Sequence, residues 1–338
     1  MCSGVWAGRR CEGSTDDGRD EAVSVTVSDV VGHGDRDVVR RAVGPEAGRV
    51  SYLTARSQAG RETVLLIHGA GVSARSWMPQ LQGLAGTLQV LALDLPGHGE
   101  SGPIWKPSVE GFADTAHRLL QVLGTGPVWV AGHSLGGAVA LALAARHPER
   151  VKGLVLISSC ARLPESTTPV QRLIWQLLPT PVRKFLFALT VQRILFAPGA
   201  PPQAVVLGME ELQACRRETL MTDAVVARAM GLEETARSLR VPTLILCGSL
   251  DRFTPPALSE QLAGLIPGAQ LDIIERAGHM LPLERPDELN RKIFNFVTRG
   301  EPTELPRVFP RGRSGVHSML RCLLDRARAR LRTRRETR

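Results

Sequence analysis

The sequence predicts an α/β protein with a doubly wound, mostly parallel sheet and a helical lid inserted between two of its strands. Short apolar runs typical of buried strands alternate with helical patterns over most of residues 37–298. Such alternation is typical of sheets whose strands are joined by right-handed helical crossovers. The alternation stops between residues 159 and 239, where helical patterns follow one another without a convincing strand. We therefore predict an α/β core at 37–158 and 240–298 and a helical cap at 159–239.

The first strands of the predicted core differ in their apolar pattern. Asp37–Val43 and Arg49–Thr54 alternate apolar and polar residues, which predicts half-buried strands joined by a turn. Thr63–Ile67 is a continuous apolar run, as expected of a central strand covered on both faces. The pattern then predicts a helix near Trp77–Leu84, a strand at Gln89–Leu93 and a helix over Val109–Val122.

The second half of the core continues this alternation on both sides of the cap. Its predicted strands are Val128–Ala131, Gly153–Ser158, Thr243–Cys247 and Gln270–Ile274. Its predicted helices are one that ends at Arg146, one around Ala257–Gly264 and one at Pro286–Val297. Within the cap, prolines separate helical patterns near Pro169–Leu178, Val182–Leu195, Gln203–Cys215 and Thr219–Met230. An insertion at this point would lie over the carboxyl edge of the sheet, where it would act as a lid.

The two terminal segments do not share the core pattern. Residues 1–36 are rich in Gly, Asp and Ser and weakly patterned, so we predict a disordered leader. Residues 307–338 hold eleven arginines against two acidic residues and so account for the whole net charge of +9. Apolar residues recur on one helical face there, which predicts a basic amphipathic helix in the tail at 299–338. Such a helix suits a membrane surface or an acidic partner, with residues 313–335 as the contact; the alternative is an appendage without a partner.

Composition indicates the broad class of the protein. Hydrophobic residues make up 43% of the chain and charged residues 22%, as in soluble globular proteins. The six cysteines show neither C-x-x-C nor metal-finger spacing, so we expect reduced thiols. No stretch resembles a signal peptide, and none approaches the roughly eighteen apolar residues of a spanning helix. We therefore expect a cytoplasmic protein, peripheral to a membrane only through its tail, and no nucleic-acid partner.

A glycine-flanked serine follows the strand at Val128–Ala131. In the run Gly-His-Ser-Leu-Gly, Ser134 lies at the apex of a sharp turn between a strand and a helix. Gly132 and Gly136 remove side chains that would collide in such a turn. The helix N-terminus favours developing negative charge at this point, which suits a nucleophile. The alternative is a glycine-rich turn in which the serine only caps the helix.

Two further residues suit a serine nucleophile, which needs an adjacent base and an acid that orients the base. Asp251 follows the strand at Thr243–Cys247, and His279 follows the strand at Gln270–Ile274. Each alone has an ordinary explanation, as a turn-forming Asp and a structural His. Their joint occurrence at strand ends, in the order Ser, Asp, His, favours a catalytic triad. The N–H groups of Leu135 and Ala70 are the candidate donors of an oxyanion hole.

Five motifs lie at the strand ends of this core: His68-Gly69-Ala70-Gly71, Asp94–Ser101, Gly132–Gly137, Gly248–Asp251 with Pro255, and Gly278-His279. Over roughly residues 37–298 the chain resembles the α/β-hydrolase fold family, in its capped members with a serine nucleophile. The resemblance implies an esterase- or lipase-like enzyme that uses no metal or organic cofactor. The Asp94–Ser101 segment resembles a supporting loop of the family and stays outside the catalytic set.

The identity of the nucleophile narrows the family. Members resembling haloalkane dehalogenases and epoxide hydrolases attack with a carboxylate, so Ser134 excludes them. Carboxylesterases, lipases, lactonases, thioesterases, acyltransferases, cofactor-free haloperoxidases and serine C–C hydrolases remain. His133 disfavours the C–C hydrolases, in which Asn often precedes the serine. We expect cleavage of a carboxylic ester, lactone or thioester through an acyl-enzyme, with a catalytically silent binding module of the same fold as the competing class.

Substrate choice is expected to depend on the cap. Leu, Phe and Val, with Trp175, dominate residues 170–197, which favours a small-molecule acyl substrate with an apolar moiety. The alternative is that these side chains only pack the cap against the core.

Overall fold

The computed structural model describes residues 26–31, 38–45, 48–55, 60–164 and 190–299. Within these residues nine strands form one sheet in the order β1-β2-β3-β5-β4-β6-β7-β8-β9. The strands are β1 Thr26–Val31, β2 Val38–Val43, β3 Val50–Ala55, β4 Thr63–Ile67, β5 Gln89–Leu93, β6 Val128–His133, β7 Val151–Ile157, β8 Thr243–Gly248 and β9 Gln270–Ile274.

The pairing of the strands indicates where a ligand-binding site can form. The pairs β1–β2, β2–β3 and β3–β5 are antiparallel, and the pairs from β5 through β4 and β6 to β9 are parallel. From β4 the chain proceeds to one side through β5, and from β6 it proceeds to the other side through β7. Ligands of open α/β sheets bind at such a reversal, beyond the carboxyl ends of the strands. The predicted mostly parallel sheet is confirmed.

Helices cover both faces of the sheet. They are α1 Met78–Leu84, α2 Val109–Val122, α3 Leu135–Arg146, α4 Pro202–Ala214, α5 Arg217–Ala229, α6 Glu233–Ser238, α7 Pro256–Leu265, α8 Leu281–Glu284 and α9 Pro286–Val297. One core cluster packs Leu119 of α2, Leu143 of α3 and Leu262 of α7 against the sheet. A second cluster packs Leu81 of α1 and Ile293 of α9 against the opposite face. The doubly wound architecture is therefore confirmed.

The prediction of a disordered leader over residues 1–36 is wrong for part of that segment. Residues 26–31 form β1, which pairs antiparallel with β2. Its sequence, Thr-Val-Ser-Asp-Val-Val, does not keep the period of two, and its pairing shifts register between Val27 and Asp29, so apolar alternation does not reveal this strand.

Helices occupy the described part of the predicted cap between β7 and β8. Residues 190–195 are helical, and α4 and α5 correspond to the patterns predicted at Gln203–Cys215 and Thr219–Met230. The helix predicted at Pro169–Leu178 lies outside the described residues. That the whole segment acts as a lid stays a prediction.

The predicted basic tail and its amphipathic helix also lie outside the described residues. Among the helices that the structure does describe, none combines the length and apolarity that a bilayer-spanning helix needs.

Candidate active site

Ser134 is held in an unusual backbone conformation between β6 and α3. Its φ of 52° and ψ of −119° lie outside the favoured regions for a residue with a side chain. Such a conformation costs about 1–3 kcal/mol and persists only where the surroundings enforce it. Here the Ser134 N–H donates to the Ile157 carbonyl at 2.9 Å, and the Ser134 carbonyl accepts from Ser159 Oγ at 2.9 Å. The Ser134 side chain makes no capping hydrogen bond, which argues against the helix-cap alternative.

The glycines around Ser134 permit an unusually close approach of α3 to the strands. A Cβ atom at Gly136 would lie 2.2 Å from the Ile67 carbonyl oxygen, at the end of β4. A Cβ atom at Gly132 would lie 2.2 Å from the Gly136 carbonyl oxygen. Both obstacles are backbone atoms in regular elements, which cannot move aside. The Gly-x-Ser-x-Gly spacing is therefore a packing requirement of this turn.

Asp251 is buried and accepts hydrogen bonds through both carboxylate oxygens. Oδ1 accepts from the N–H groups of Phe253, at 2.9 Å, and Thr254, at 2.8 Å. Oδ2 faces His279 Nδ1 at 2.9 Å and Thr254 Oγ1 at 2.9 Å. Burial by itself would raise the pKa of Asp251, but the charge of His279 and the hydrogen bonds from His279 and Thr254 outweigh it. The net result is a pKa below the ordinary value, so the carboxylate is ionised at neutral pH.

The partners of His279 determine which ring nitrogen carries the proton. Nδ1 donates to the Asp251 carboxylate, which can only accept, so Nε2 of the neutral ring holds the lone pair. His279 is 3% exposed, and its ring packs edge-on against Phe253, with ring centroids 4.9 Å apart. An aspartate-bound imidazole of this kind can act as a general base through Nε2.

His133 joins the Ser134 turn to the His279 loop. Burial, and then the charge of His279, lowers the pKa of His133 to about 3, so its ring is neutral. Nε2 of that ring lies 2.8 Å from the His279 carbonyl oxygen and donates to it. The sequence shows only that a histidine precedes the serine, and its contact with a residue 146 positions away becomes visible in the fold.

Two other supporting residues are missed by sequence reasoning. Thr254 Oγ1 lies 3.0 Å from the Ser158 carbonyl and 3.1 Å from His279 Nδ1, so it bridges the loops after β7, β8 and β9. Glu284 accepts from the N–H of Gly278 at 3.1 Å and from the N–H of Ala197 at 3.0 Å. Burial raises the pKa of Glu284 despite these two N–H donors. For Glu284, the sequence offers one signal, namely a charged residue directly after the apolar run that follows His279.

The loop after β4, residues 68–73, lies against the Ser134 turn; we call it the oxyanion loop. A Cβ atom at Gly69 would lie 3.1 Å from Ser134 Cβ. His68 orders the start of the loop, because its Nδ1 donates to the Gly69 carbonyl at 2.8 Å and its Nε2 accepts the Leu95 N–H at 3.0 Å. Ala70 follows in this loop, and Leu135 is the first residue of α3. Both predicted donors thus belong to segments adjacent to Ser134.

Acid should destabilise the fold through His68 and His133. Burial, and then the charge of His98, lowers the pKa of His68 to about 3, the value also found for His133. The unfolded chain protonates both residues below about pH 6.5, whereas the folded chain does so only near pH 3. Stability is therefore lost as the pH falls through this window. Two such groups predict a loss of about 2.7 kcal/mol per pH unit, measured by urea unfolding at pH 6, 5 and 4.

His133→Asn provides the comparison, since asparagine does not titrate. The variant should lose stability about half as steeply as the wild type over the same pH range, if His68 accounts for the other half. Equal slopes for the two proteins would contradict the assignment of His133.

One cluster of potential metal ligands occurs among the described residues. Ligand atoms of His117, His147 and Glu149 lie within 4.8 Å of one another. The two imidazole rings are stacked, with centroids 3.6 Å apart and 7° between their planes. Nitrogen lone pairs lie in the plane of each ring, so those of two stacked rings do not converge on one ion. His147 and Glu149 also follow the far end of α3, about 18 Å along the helix from Ser134, and His117 lies in α2.

Comparisons with known proteins agree with this architecture. A model of the alpha/beta hydrolase fold family matches residues 62–286. A pimeloyl-[acyl-carrier protein] methyl ester esterase of Neisseria meningitidis serogroup B is 30% identical over 70% of this chain and 93% of that protein. A 2-hydroxy-6-oxononadienedioate/2-hydroxy-6-oxononatrienedioate hydrolase of a Pseudomonas species is 28% identical over 71% of this chain and 89% of that protein. A solved esterase structure from Thermogutta terrifontis matches with a TM-score of 0.64 and 28% identity, covering 75% of this chain and 94% of that one. The chain therefore belongs to the α/β-hydrolase fold family.

Proposed function

We propose that the chain is a serine hydrolase that cleaves a carboxylic ester, or a lactone or thioester, through an acyl-enzyme on Ser134. The observation that carries this proposal is the buried Asp251–His279 pair, with 2.9 Å between Oδ2 and Nδ1, whose His279 loop is joined to the Ser134 turn by His133. A carboxylate on Nδ1 leaves Nε2 available as a base and stabilises the imidazolium that forms when Nε2 takes a proton. Ser134, strained and without a capping bond, is the nucleophile that we assign to this base and acid.

The proposed reaction has two steps that use the same groups. Nε2 of His279 accepts the proton of Ser134 as Oγ attacks the ester carbonyl carbon, and the N–H groups of Ala70 and Leu135 stabilise the negative oxygen. The C–O bond to the leaving alcohol then breaks, and His279 returns the proton to that alcohol. A water molecule, deprotonated by His279, attacks the acyl-enzyme and releases the carboxylic acid, which regenerates Ser134.

An apolar acyl moiety suits the surroundings of the proposed site. The Leu195 carbonyl accepts the Met280 N–H at 3.0 Å, so the described end of the first cap segment contacts the residue after His279. Val72 of the oxyanion loop, Phe196 and Met280 belong to one apolar cluster. The Neisseria relative and the Thermogutta structure are both named as esterases, which supports an ester as the bond that is cleaved.

Hydrolysis of a carbon–carbon bond is the second candidate. The Pseudomonas relative is named for a 2-hydroxy-6-oxo dienedioate substrate and matches over a similar share of the chain. A serine–histidine–aspartate set can serve either reaction, so these three residues favour neither bond.

A fluorophosphonate probe and a substrate panel test the proposed function. The probe should label Ser134, mapped by peptide mass spectrometry, and p-nitrophenyl esters with apolar acyl groups should be hydrolysed faster than those with charged acyl groups. Lactones, thioesters and a 2-hydroxy-6-oxo dienoate complete the panel. A chain that turns over only the dienoate would support the second candidate. If the probe does not label the protein and no substrate is turned over, the result would contradict an enzyme and support a binding module.

A further inference from the structure

Helix α5 reaches the oxyanion loop through one buried carboxylate. Asp223 lies in the middle of α5, is fully buried, and accepts the Gly71 N–H on Oδ2 at 2.8 Å. The approach is close along this contact, because a Cβ atom at Gly71 would lie 2.8 Å from Leu220 Cδ1 of the same helix. Gly71 directly follows Ala70, the proposed oxyanion donor. A helix of the cap region is thus hydrogen-bonded one residue away from the proposed reaction machinery.

The same carboxylate oxygen also bonds to the loop after β5. His98 Nε2 lies 2.8 Å from Asp223 Oδ2 and donates to it. The His98 ring packs edge-on against His68, with centroids 4.8 Å apart, and His68 begins the oxyanion loop. Asp223 therefore contacts the loop directly through Gly71 and indirectly through the two histidines.

The burial of Asp223 has an energetic cost that its hydrogen bonds offset only in part. Its second oxygen, Oδ1, is buried and has no hydrogen-bond partner among the described residues. A buried carboxylate with one unpartnered oxygen loses hydration without full compensation. Two charge-assisted bonds on Oδ2 hold it there, and such bonds are roughly twice as strong as neutral ones. This arrangement is expected where a carboxylate must hold a loop rather than merely stabilise a helix.

We propose that Asp223 is a positioning residue that sets the geometry of the oxyanion loop and so couples α5 to the rate of ester cleavage. Its bond to Gly71 restrains the peptide that follows Ala70, and with it the direction of the Ala70 N–H. Displacement of α5 releases this restraint and disorders the donor. The coupling to rate rests on the proposed function.

A second carboxylate, on the neighbouring helix α4, also contacts the oxyanion loop, but at a different residue. Glu211 of α4 accepts the Ser73 N–H at 3.2 Å and bonds the Ser73 hydroxyl. Ser73 is three residues beyond Ala70, so this contact restrains the exit of the loop. Asp223 is the anchor nearer to the donor, which makes it the residue to test.

The test compares Asp223→Ala and Asp223→Asn with Glu218→Gln, an exposed carboxylate on the same helix. Ala removes the acceptor, whereas Asn keeps an acceptor oxygen and removes the charge. Removal of an oxyanion donor costs on the order of a hundredfold or more, so misalignment in Asp223→Ala should lower kcat for p-nitrophenyl butyrate about 10- to 100-fold. KM should change less than about twofold, because the oxyanion forms only in the transition state. Asp223→Asn should lose less, and Glu218→Gln nothing.

Two further readouts separate a positioning role from a merely structural one. Affinity for a trifluoromethyl ketone, which forms the oxyanion, should fall in Asp223→Ala by about the same factor as kcat. Amide hydrogen exchange of residues 69–73 should accelerate relative to the wild type. Unchanged loop exchange, or kcat equal to that of Glu218→Gln in an active enzyme, would overturn the proposal. If the wild type turns over no ester but loop exchange is still faster in Asp223→Ala, the result would uphold the anchoring role of Asp223. It would contradict the proposed ester hydrolysis instead.

Discussion

Ser134→Ala should lower kcat/KM for p-nitrophenyl butyrate by a factor on the order of 10⁴ or more while the protein remains folded. The hydroxyl is the only group of the proposed set that can form the acyl bond, so its loss removes the covalent route altogether. The fold should survive because the Ser134 side chain caps no helix. Steady-state kinetics measure the loss, and thermal unfolding followed by circular dichroism checks the fold.

Ser249→Ala is the matched control for this experiment. Ser249 also follows a strand at the carboxyl edge, but its hydroxyl bonds Glu275 and the Arg276 N–H at the surface. Its removal should leave turnover and fluorophosphonate labelling unchanged. Ester hydrolysis that persists in Ser134→Ala at the wild-type rate would contradict the nucleophile assignment and the mechanism built on it.

Gly136→Ala should prevent the chain from reaching a stable fold. The new Cβ would lie 2.2 Å from the Ile67 carbonyl and 2.5 Å from the His68 carbonyl, far inside van der Waals contact. Relief would require α3 to move off β4, against the buried contacts that Leu141 and Leu143 make in the core. Overpacking alone typically costs 1–3 kcal/mol, and a clash with immobile backbone exceeds that range. Soluble yield and urea unfolding measure the effect.

Gly264→Ala tests whether the Gly136 effect comes from the contact rather than from the substitution. Gly264 lies in α7, and a Cβ atom there would meet nothing within 4 Å. Alanine should stabilise this helix by roughly 0.5–1 kcal/mol. A Gly136→Ala protein that unfolds at the wild-type urea concentration would contradict the close packing of α3 on β4.

Sequence patterns located many elements well because the buried strands are short, continuous apolar runs. β4, β5, β9, α2 and α9 have the predicted bounds. β7 instead begins at Val151, two residues before the predicted Gly153. Lys152 interrupts the apolar run there, but its side chain is exposed and its Nζ pairs with Glu62 at 2.7 Å. A charged residue that points away from the core can lie within a strand.

The strand–helix alternation, the glycines of the serine turn, and the order of Ser134, Asp251 and His279 at strand ends can all be predicted from the amino-acid sequence. These features depend on local chemistry, namely apolar periodicity and the backbone angles of tight turns. The contacts of the supporting groups are visible only in the fold: His133 contacts the His279 loop, and Asp223 contacts the oxyanion loop. Those partners are 146 and 152 positions apart along the chain. Hydrogen bonds at that separation leave no periodic trace in sequence, because the order of strands in the sheet brings the partners together.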